Sequence, residues 1–205
     1  MLGSHRRCWV LTALVLASSC RGMPEVAGSG AYVGVVRDDS DGDISIALAV
    51  QGRFVALYTC TDDPTRQEYP RWLTDGTYAG DGRIRLTHGE WSFLGALDVD
   101  GAEGMLVGPG GTMRRWVGMP LREGSVSGLY TALDSGCVTG VIVIDDGFAT
   151  PPSVRGAWCN ADGKVHQVII TRSPPRLVDG RLPVEVALEN GTRLLDAAPV
   201  KLPLP

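Results

Sequence analysis

Two alternating runs of apolar residues that meet at a glycine place the strongest constraint on how this chain can fold. Residues 44–60 read ISIALAVQGRFVALYTC, so that Gly52 separates two runs with the length and alternation of paired β-strands. About one hundred residues later, an apolar run at 138–144, an Asp-Gly turn at 146–147 and an apolar run ending at 157–159 repeat this order. The sequence therefore predicts a β protein in which one hairpin unit occurs twice.

Matching landmarks give this repeat a nearly constant spacing. The pairs are Tyr32 with Tyr130, YTC at 58–60 with AWC at 157–159, and DGRIRL at 81–86 with DGRLPV at 179–184. Their offsets are 98, 99 and 98 residues, in the same order along the chain. We predict an internal duplication from this order. The alternative is that β-meanders rich in Gly and Asp resemble one another through turn chemistry alone.

Short apolar runs separated by Asp-Gly, Gly-Asp and Pro-Gly-Gly turns predict the strands of the first repeat. They are expected at 31–36, 44–50, 54–60, 71–73, 83–87, 91–99, 104–107 and 113–119. We therefore predict an all-β fold of two tandem β-meander repeats, over residues 30–125 and 126–205, packed as one barrel- or sandwich-like body. The second repeat is expected to be truncated, because no later stretch matches RRWVGMPL at 114–121. Two separate domains, like beads on a string, are the alternative.

The first strand of the repeated hairpin is apolar on both faces. Alternation directs one set of side chains toward the interior of the repeat and leaves the small Ala47 and Ala49 on the other side. The inward set is Ile44, Ile46, Leu48 and Val50. We expect both faces to be covered, the outer one by the second repeat.

The N-terminus has the pattern of an export signal. Arg6 and Arg7 precede an apolar run at 8–16 that is too short to span a membrane, and Ala-Ser-Ser at 17–19 precedes Cys20. This arrangement resembles the lipobox of bacterial lipoproteins. The resemblance implies a signal peptide over 1–19, a diacylglycerol on Cys20, and a lipidated tether over 20–29. An ordinary signal peptide cut near Ser19 is the alternative.

The composition of the exported part limits its partners. Without Arg6 and Arg7 it carries 17 basic and 23 acidic side chains, a formal charge of −6. Such an acidic chain is unsuited to nucleic acid, which requires a basic stripe. The expected partners are the membrane, reached through N-terminal acyl chains on the bacterial cell envelope, and a protein of that envelope.

Three cysteines remain after Cys20, and an exported protein matures where disulfides persist. Cys137 and Cys159 flank a predicted hairpin, which favours a bridge between them. Cys60 and Cys159 occupy equivalent places in the two repeats and form the rival pair. The sequence does not decide the connectivity.

No stretch carries a catalytic or metal-binding signature. The acidic turn at 38–43 departs from a calcium loop, because Arg37 and Leu48 occupy the positions of its first and last ligands. His88 and His166 are the only histidines after the leader, and neither has the spacing of a metal site. We expect no catalytic residue, no metal and no cofactor.

The segments around Tyr32, 47–50, 58–60 and 72–73 are similar to small β-rich domains of exported bacterial proteins with no assigned activity. This resemblance implies export and a β fold, and no catalytic residue. The leading hypothesis is therefore a lipid-anchored binding or scaffold protein. A barrel-type carrier of a small apolar ligand, with a mouth lined by Trp72, Trp91 and Trp116, is the alternative. A hydrolase built on His88 or His166 is a third possibility.

Overall fold

The computed structural model describes residues 29–37, 42–61, 63, 65–66, 68–78, 80–98, 100–122, 124–134, 137–145, 152–160, 164–171 and 173–205. The predicted signal peptide, Cys20 and most of the tether lie outside the described residues. So do residues 38–41 of the acidic turn. The described part is all-β, as predicted, and is built from two consecutive meanders.

The first meander forms one nine-stranded antiparallel sheet. Its strands are β1 (Ser29–Val36), β2 (Ile44–Gln51), β3 (Phe54–Thr61), β4 (Arg71–Leu73), β5 (Asp75–Tyr78), β6 (Arg83–His88), β7 (Trp91–Leu97), β8 (Ala102–Val107) and β9 (Met113–Pro120). A 3-10 turn at Pro109–Gly111 joins β8 to β9. The sheet order is β4-β3-β2-β1-β9-β8-β7-β6-β5. Only Thr74 separates β4 from β5, so this segment connects the two ends of the sheet and nearly closes it into a barrel.

The second meander forms a closed six-stranded barrel. Its strands are β10 (Gly128–Asp134), β11 (Cys137–Ile144), β12 (Ser153–Cys159), β13 (Val165–Ile170), β14 (Leu182–Leu188) and β15 (Gly191–Pro199). We call the two units the first and second barrel. Closure pairs every strand on both sides and therefore leaves no open sheet edge in the second barrel.

Each barrel has its own filled core. The predicted inward set on β2, Ile44, Ile46, Leu48 and Val50, is buried in the first barrel, as expected from alternation. Large rings occupy the same core, and the ring centroids of Phe93 and Trp116 lie 5.8 Å apart in an edge-on contact. Tyr130 and Trp158 belong to the core of the second barrel. Burying one such side chain contributes about 1.5–3 kcal/mol, so these cores dominate the stability of the fold.

The outer face of the repeated hairpin is covered by the second barrel, which confirms that both of its faces are buried. Val33, Ala47 and Tyr58 from the first barrel share one apolar cluster with Leu129 and Ile142 from the second. The two barrels therefore pack as one body, and not as separate beads.

Two tyrosines hold matching positions in the two barrels. Tyr32 on β1 pairs with Leu48 on the next strand and with Pro120 on the last strand of its barrel. Tyr130 on β10 pairs in the same way with Val141 and with Pro199. The N–H after each proline donates to the carbonyl before each tyrosine, from Leu121 to Ala31 and from Val200 to Leu129. The first and last strands thus pair with the same geometry in both barrels.

The expectation that the second repeat lacks the last strand of the first is wrong, because β15 occupies the place of β9. The second barrel is smaller for a different reason. Asp81 lies just before β6, and Asp179 lies just before β14. With β4 and β5 counted as one extended segment, β6 and β14 are each the fifth segment of their barrel. Among the described residues, the strands β7 and β8 then have no counterpart, and the second meander is shorter by one internal hairpin.

Candidate binding surfaces

A concavity of about 740 Å³ lies on the outside of the strands β6 to β9. Two cross-strand rows run across it, and all of their residues except Val117 line the concavity. One row runs Arg85, Leu94, Met105, Arg115, and the next runs Arg83, Ala96, Glu103, Val117. We call this surface, with these eight residues, the arginine face.

The concave shape follows from two glycines at inward positions beneath the face. Gly95 on β7 is paired with Gly104 on β8, and the ring of Phe93 fills the space that their side chains would take. A Cβ built on Gly104 would lie 2.4 Å from that ring. The absence of both side chains lets the sheet sink toward the core.

The arginine face combines exposed apolar side chains with cations. Leu94 and Val117 are 51% and 57% exposed, and Met113 and Met119 extend the apolar surface along β9. Arg115 donates to Glu103 at 3.1 Å, but both side chains are mostly in water, so this pair adds little stability. Neither Arg83 nor Arg85 forms a salt bridge with another described residue. The face is therefore both apolar and positively charged.

A second concavity, of about 370 Å³, lies between the two barrels. We call it the inter-barrel groove; its walls include Arg53, Phe54, Trp72, Val138, Leu202 and Leu204. The segment 200–205 forms one wall and is held by the side-chain amide of Gln51. That amide donates to the carbonyl of Val200 at 3.0 Å and accepts from the N–H of Leu202 at 2.8 Å.

The three tryptophans expected at a ligand mouth do not lie together. Trp91 and Trp116 are 3% and 0% exposed and belong to the core of the first barrel. Trp72 lies in the inter-barrel groove, where its ring is 4.7 Å from that of Tyr58 and its Nε1 donates to the carbonyl of Val138 at 3.0 Å. Alternation identified aromatic positions but not which of them reach a surface.

The bridge favoured by the sequence is present. Cys137 and Cys159 form a disulfide with their Cα atoms 5.9 Å apart, and the rival pair is not formed. Cys60 is buried at the interface of the barrels and belongs to no disulfide. A bridge over this sequence separation contributes about 3 kcal/mol.

A polar cluster beside the disulfide was missed by sequence reasoning. Asp134, which pairs with Cys137 across the β10–β11 hairpin, accepts from Arg193 at 2.7 Å and from Nε1 of Trp158 at 3.0 Å. The guanidinium of Arg193 also lies 5.4 Å from the ring centroid of Trp158. The partners are up to 59 residues apart in sequence, and only barrel closure brings them together.

The two histidines have ordinary surroundings. His88 Nδ1 lies 3.9 Å from Asp75 in an exposed pair, and the His166 ring is 5.5 Å from that of Trp158. No hydrogen bond joins either of them to a described serine, and no described group of His, Cys, Asp and Glu is arranged to hold a metal ion. The described residues therefore do not surround either histidine in the way that the hydrolase hypothesis requires.

Burial perturbs the titration of the tyrosines. Desolvation, aided by the proximity of Cys60, raises the pKa of Tyr58 well above its usual value. Burial likewise raises the pKa values of Tyr32, Tyr78 and Tyr130. These phenols are structural and stay protonated at neutral pH.

Comparisons with known proteins found no match, so this chain is classified by its fold. Neither a family model, nor a curated protein, nor a solved structure matches this chain. Within the described residues, no helix has the length and apolar character needed to cross a membrane. The described part of the chain is thus defined as an all-β protein of two packed barrels.

Proposed function

We propose that this chain is an exported, lipid-anchored protein that binds an acidic protein partner through the arginine face and performs no chemistry. The observation that carries the proposal is the contrast between two halves of the first barrel. The outer side of β1 to β3 is apolar and covered by the second barrel. The outer side of β6 to β9 is also apolar at its centre, yet it faces solvent. Exposed apolar surface rimmed by charge is characteristic of interaction sites.

The charges favour an acidic partner. The whole chain has a formal charge of −4, whereas the concavity at the arginine face is lined by Arg83, Arg85 and Arg115 against the two carboxylates of Asp81 and Glu103. Arginine and methionine are enriched at protein interfaces. Both side chains bury aliphatic groups there, and the arginine guanidinium also binds carboxylates in a fixed geometry. A partner with Asp or Glu around an apolar centre would complement both features.

Export and lipid anchoring rest on the leader and on Cys20, and the Cys137–Cys159 disulfide supports an oxidising compartment. Metabolic labelling with palmitate tests the anchor. Wild type should incorporate label and the Cys20→Ala variant should not. An unlabelled but secreted wild-type chain would favour the ordinary signal peptide.

The partner is tested by site-specific photocrosslinking in the native envelope. The crosslinker p-benzoylphenylalanine replaces Leu94 on the arginine face or, as a control of similar exposure, Leu133 on the second barrel. We expect one defined protein adduct at position 94 and none of that size at 133. The adduct should be lost with Arg83→Glu and Arg85→Glu, and kept with Arg122→Glu and Arg176→Glu.

Two results of the crosslinking would contradict the proposal. An adduct to phospholipid alone would mean that the face meets the membrane. An adduct that survives the Arg83→Glu and Arg85→Glu changes would contradict the electrostatic argument. Either result would overturn the binding part of the proposal without affecting the anchor.

We also propose that the two barrels arose from one duplicated unit, with the hairpin β7–β8 as the later difference. The supporting observations are the shared Tyr-to-Pro pairing of the first and last strands and the matching Asp-Gly turns at Asp81 and Asp179. A chain lacking residues 91–107, with a short turn in their place, tests this idea. If the ancestral plan had six strands, the shortened first barrel should still fold; loss of its structure would contradict the idea.

A further inference from the structure

We propose that the inter-barrel groove binds a small apolar anion, independently of the arginine face. The groove volume of about 370 Å³ lies within the range that holds small organic ligands. Its position between two packed units is typical of such sites.

The groove walls select for apolar shape and offer few hydrogen bonds. Phe54 is 39% exposed at the end of β3, and it faces the groove together with Leu202 and Leu204. The indole N–H of Trp72 is already used by the carbonyl of Val138. The rest of that ring is therefore available only for apolar or stacking contact.

One charged side chain in the groove favours an anionic ligand. Arg53 is the single charged side chain among the residues that line the groove. Its guanidinium lies 5.2 Å from the ring centroid of Phe54, which holds the cation beside the apolar wall. A carboxylate or sulfonate on an aromatic or aliphatic body would satisfy this cation and fill the groove.

Gln51 keeps the groove formed before a ligand arrives. Its two hydrogen bonds fix the backbone at Val200 and Leu202, and the side chain of Leu202 packs against the apolar cluster between the two barrels. A wall that is already ordered costs less conformational entropy on binding. We therefore expect the Gln51→Ala variant to weaken binding without a change in charge.

The test uses two fluorescent probes and the exported chain carrying Cys20→Ser, which prevents acylation. The probes are the anion 8-anilinonaphthalene-1-sulfonate and the neutral N-phenyl-1-naphthylamine. We expect saturable binding of the anion at one site per chain, with energy transfer from tryptophan. Arg53→Gln should weaken the anion roughly tenfold, the size of a lost charge-assisted hydrogen bond, and leave the neutral probe nearly unchanged. Phe54→Ser should weaken both probes.

Matched controls separate this site from the arginine face. Arg122→Gln should leave both probes unaffected, as should Arg83→Gln with Arg85→Gln. The circular dichroism of each variant confirms that it is folded. Anion binding that is non-saturable, that is insensitive to Arg53→Gln and Phe54→Ser, or that disappears with the Arg83 and Arg85 changes would overturn the proposal.

Discussion

The hydroxyl of Tyr58 accepts a hydrogen bond of 3.2 Å from the backbone N–H of Ala157, the residue that holds the same place in the other barrel. Tyr58 pairs with Ala47 on β2, and the next residue on that strand pairs with Tyr32. In the same way, Ala157 pairs with Gly140 on β11, and the next residue on that strand pairs with Tyr130. Equivalent positions thus touch across the interface, and their different side chains let one barrel insert a ring into the other.

The first prediction concerns that insertion. A Cβ on Gly140 would lie 2.5 Å from the buried Tyr58 ring, which cannot move aside. Gly140→Ala should therefore lower the free energy of unfolding by about 1–3 kcal/mol. Urea denaturation measures the loss. In a Tyr58→Ala background the same change should cost much less, and equal costs in both backgrounds would show that ring and glycine are not coupled.

The second prediction concerns alkaline stability. Because burial raises the pKa of Tyr58 well above 10.0, the unfolded chain loses this proton first as the pH rises. The stabilisation is complete below pH 10.0, the usual pKa of the phenol, and is lost progressively above it. Tyr58→Phe should therefore be less stable than wild type at pH 8, by about 1 kcal/mol for the hydrogen bond, and should lose stability less steeply above pH 10.0. Denaturation series at pH 8 to 11.5 measure both slopes, and parallel slopes would contradict the assignment.

The third prediction concerns the disulfide. Replacing Cys137 and Cys159 with serine should lower the free energy of unfolding by about 3 kcal/mol. Thiol titration of the denatured, unreduced exported chain carrying Cys20→Ser should detect one reactive thiol, that of Cys60. Three thiols would mean that the bridge does not form, and reduction should then leave the stability unchanged.

The fourth prediction compares two ion pairs. Asp134 is largely buried and accepts from both Arg193 and Trp158, whereas Glu103 meets Arg115 in water. Asp134→Asn should cost about 1–3 kcal/mol, and Glu103→Gln less than about 0.5 kcal/mol. Thermal unfolding distinguishes the two variants. Similar effects in both would indicate that the cluster beside the disulfide contributes no more than a surface pair.

Local pattern was enough to predict much of the fold. Alternation along β2 gave the buried set and the covered outer face, because side chains on a strand point to opposite sides in turn. The hairpin between Cys137 and Cys159 gave the disulfide for the same reason. The closing strand β15 was missed because GTRLLDAAP shares little with the first barrel's last strand except the proline that pairs with a tyrosine.

The surfaces could not be predicted in the same way. Arg83, Arg85 and Arg115 lie on three different segments of the chain, and only strand order and the glycine pair beneath Leu94 gather them into one concavity. The inter-barrel groove needs both barrels and the segment 200–205. Such long-range arrangements depend on closure and docking, which short-range periodicity does not encode.

The hairpin β7–β8, which has no counterpart among the described residues of the second barrel, would set the valency of the binding that we propose. It supplies half of the strands beneath the arginine face, so a chain with two similar barrels still presents a single copy of that surface. Any complex formed through it should have one partner per chain, and bringing many partners together would require several copies of the chain side by side.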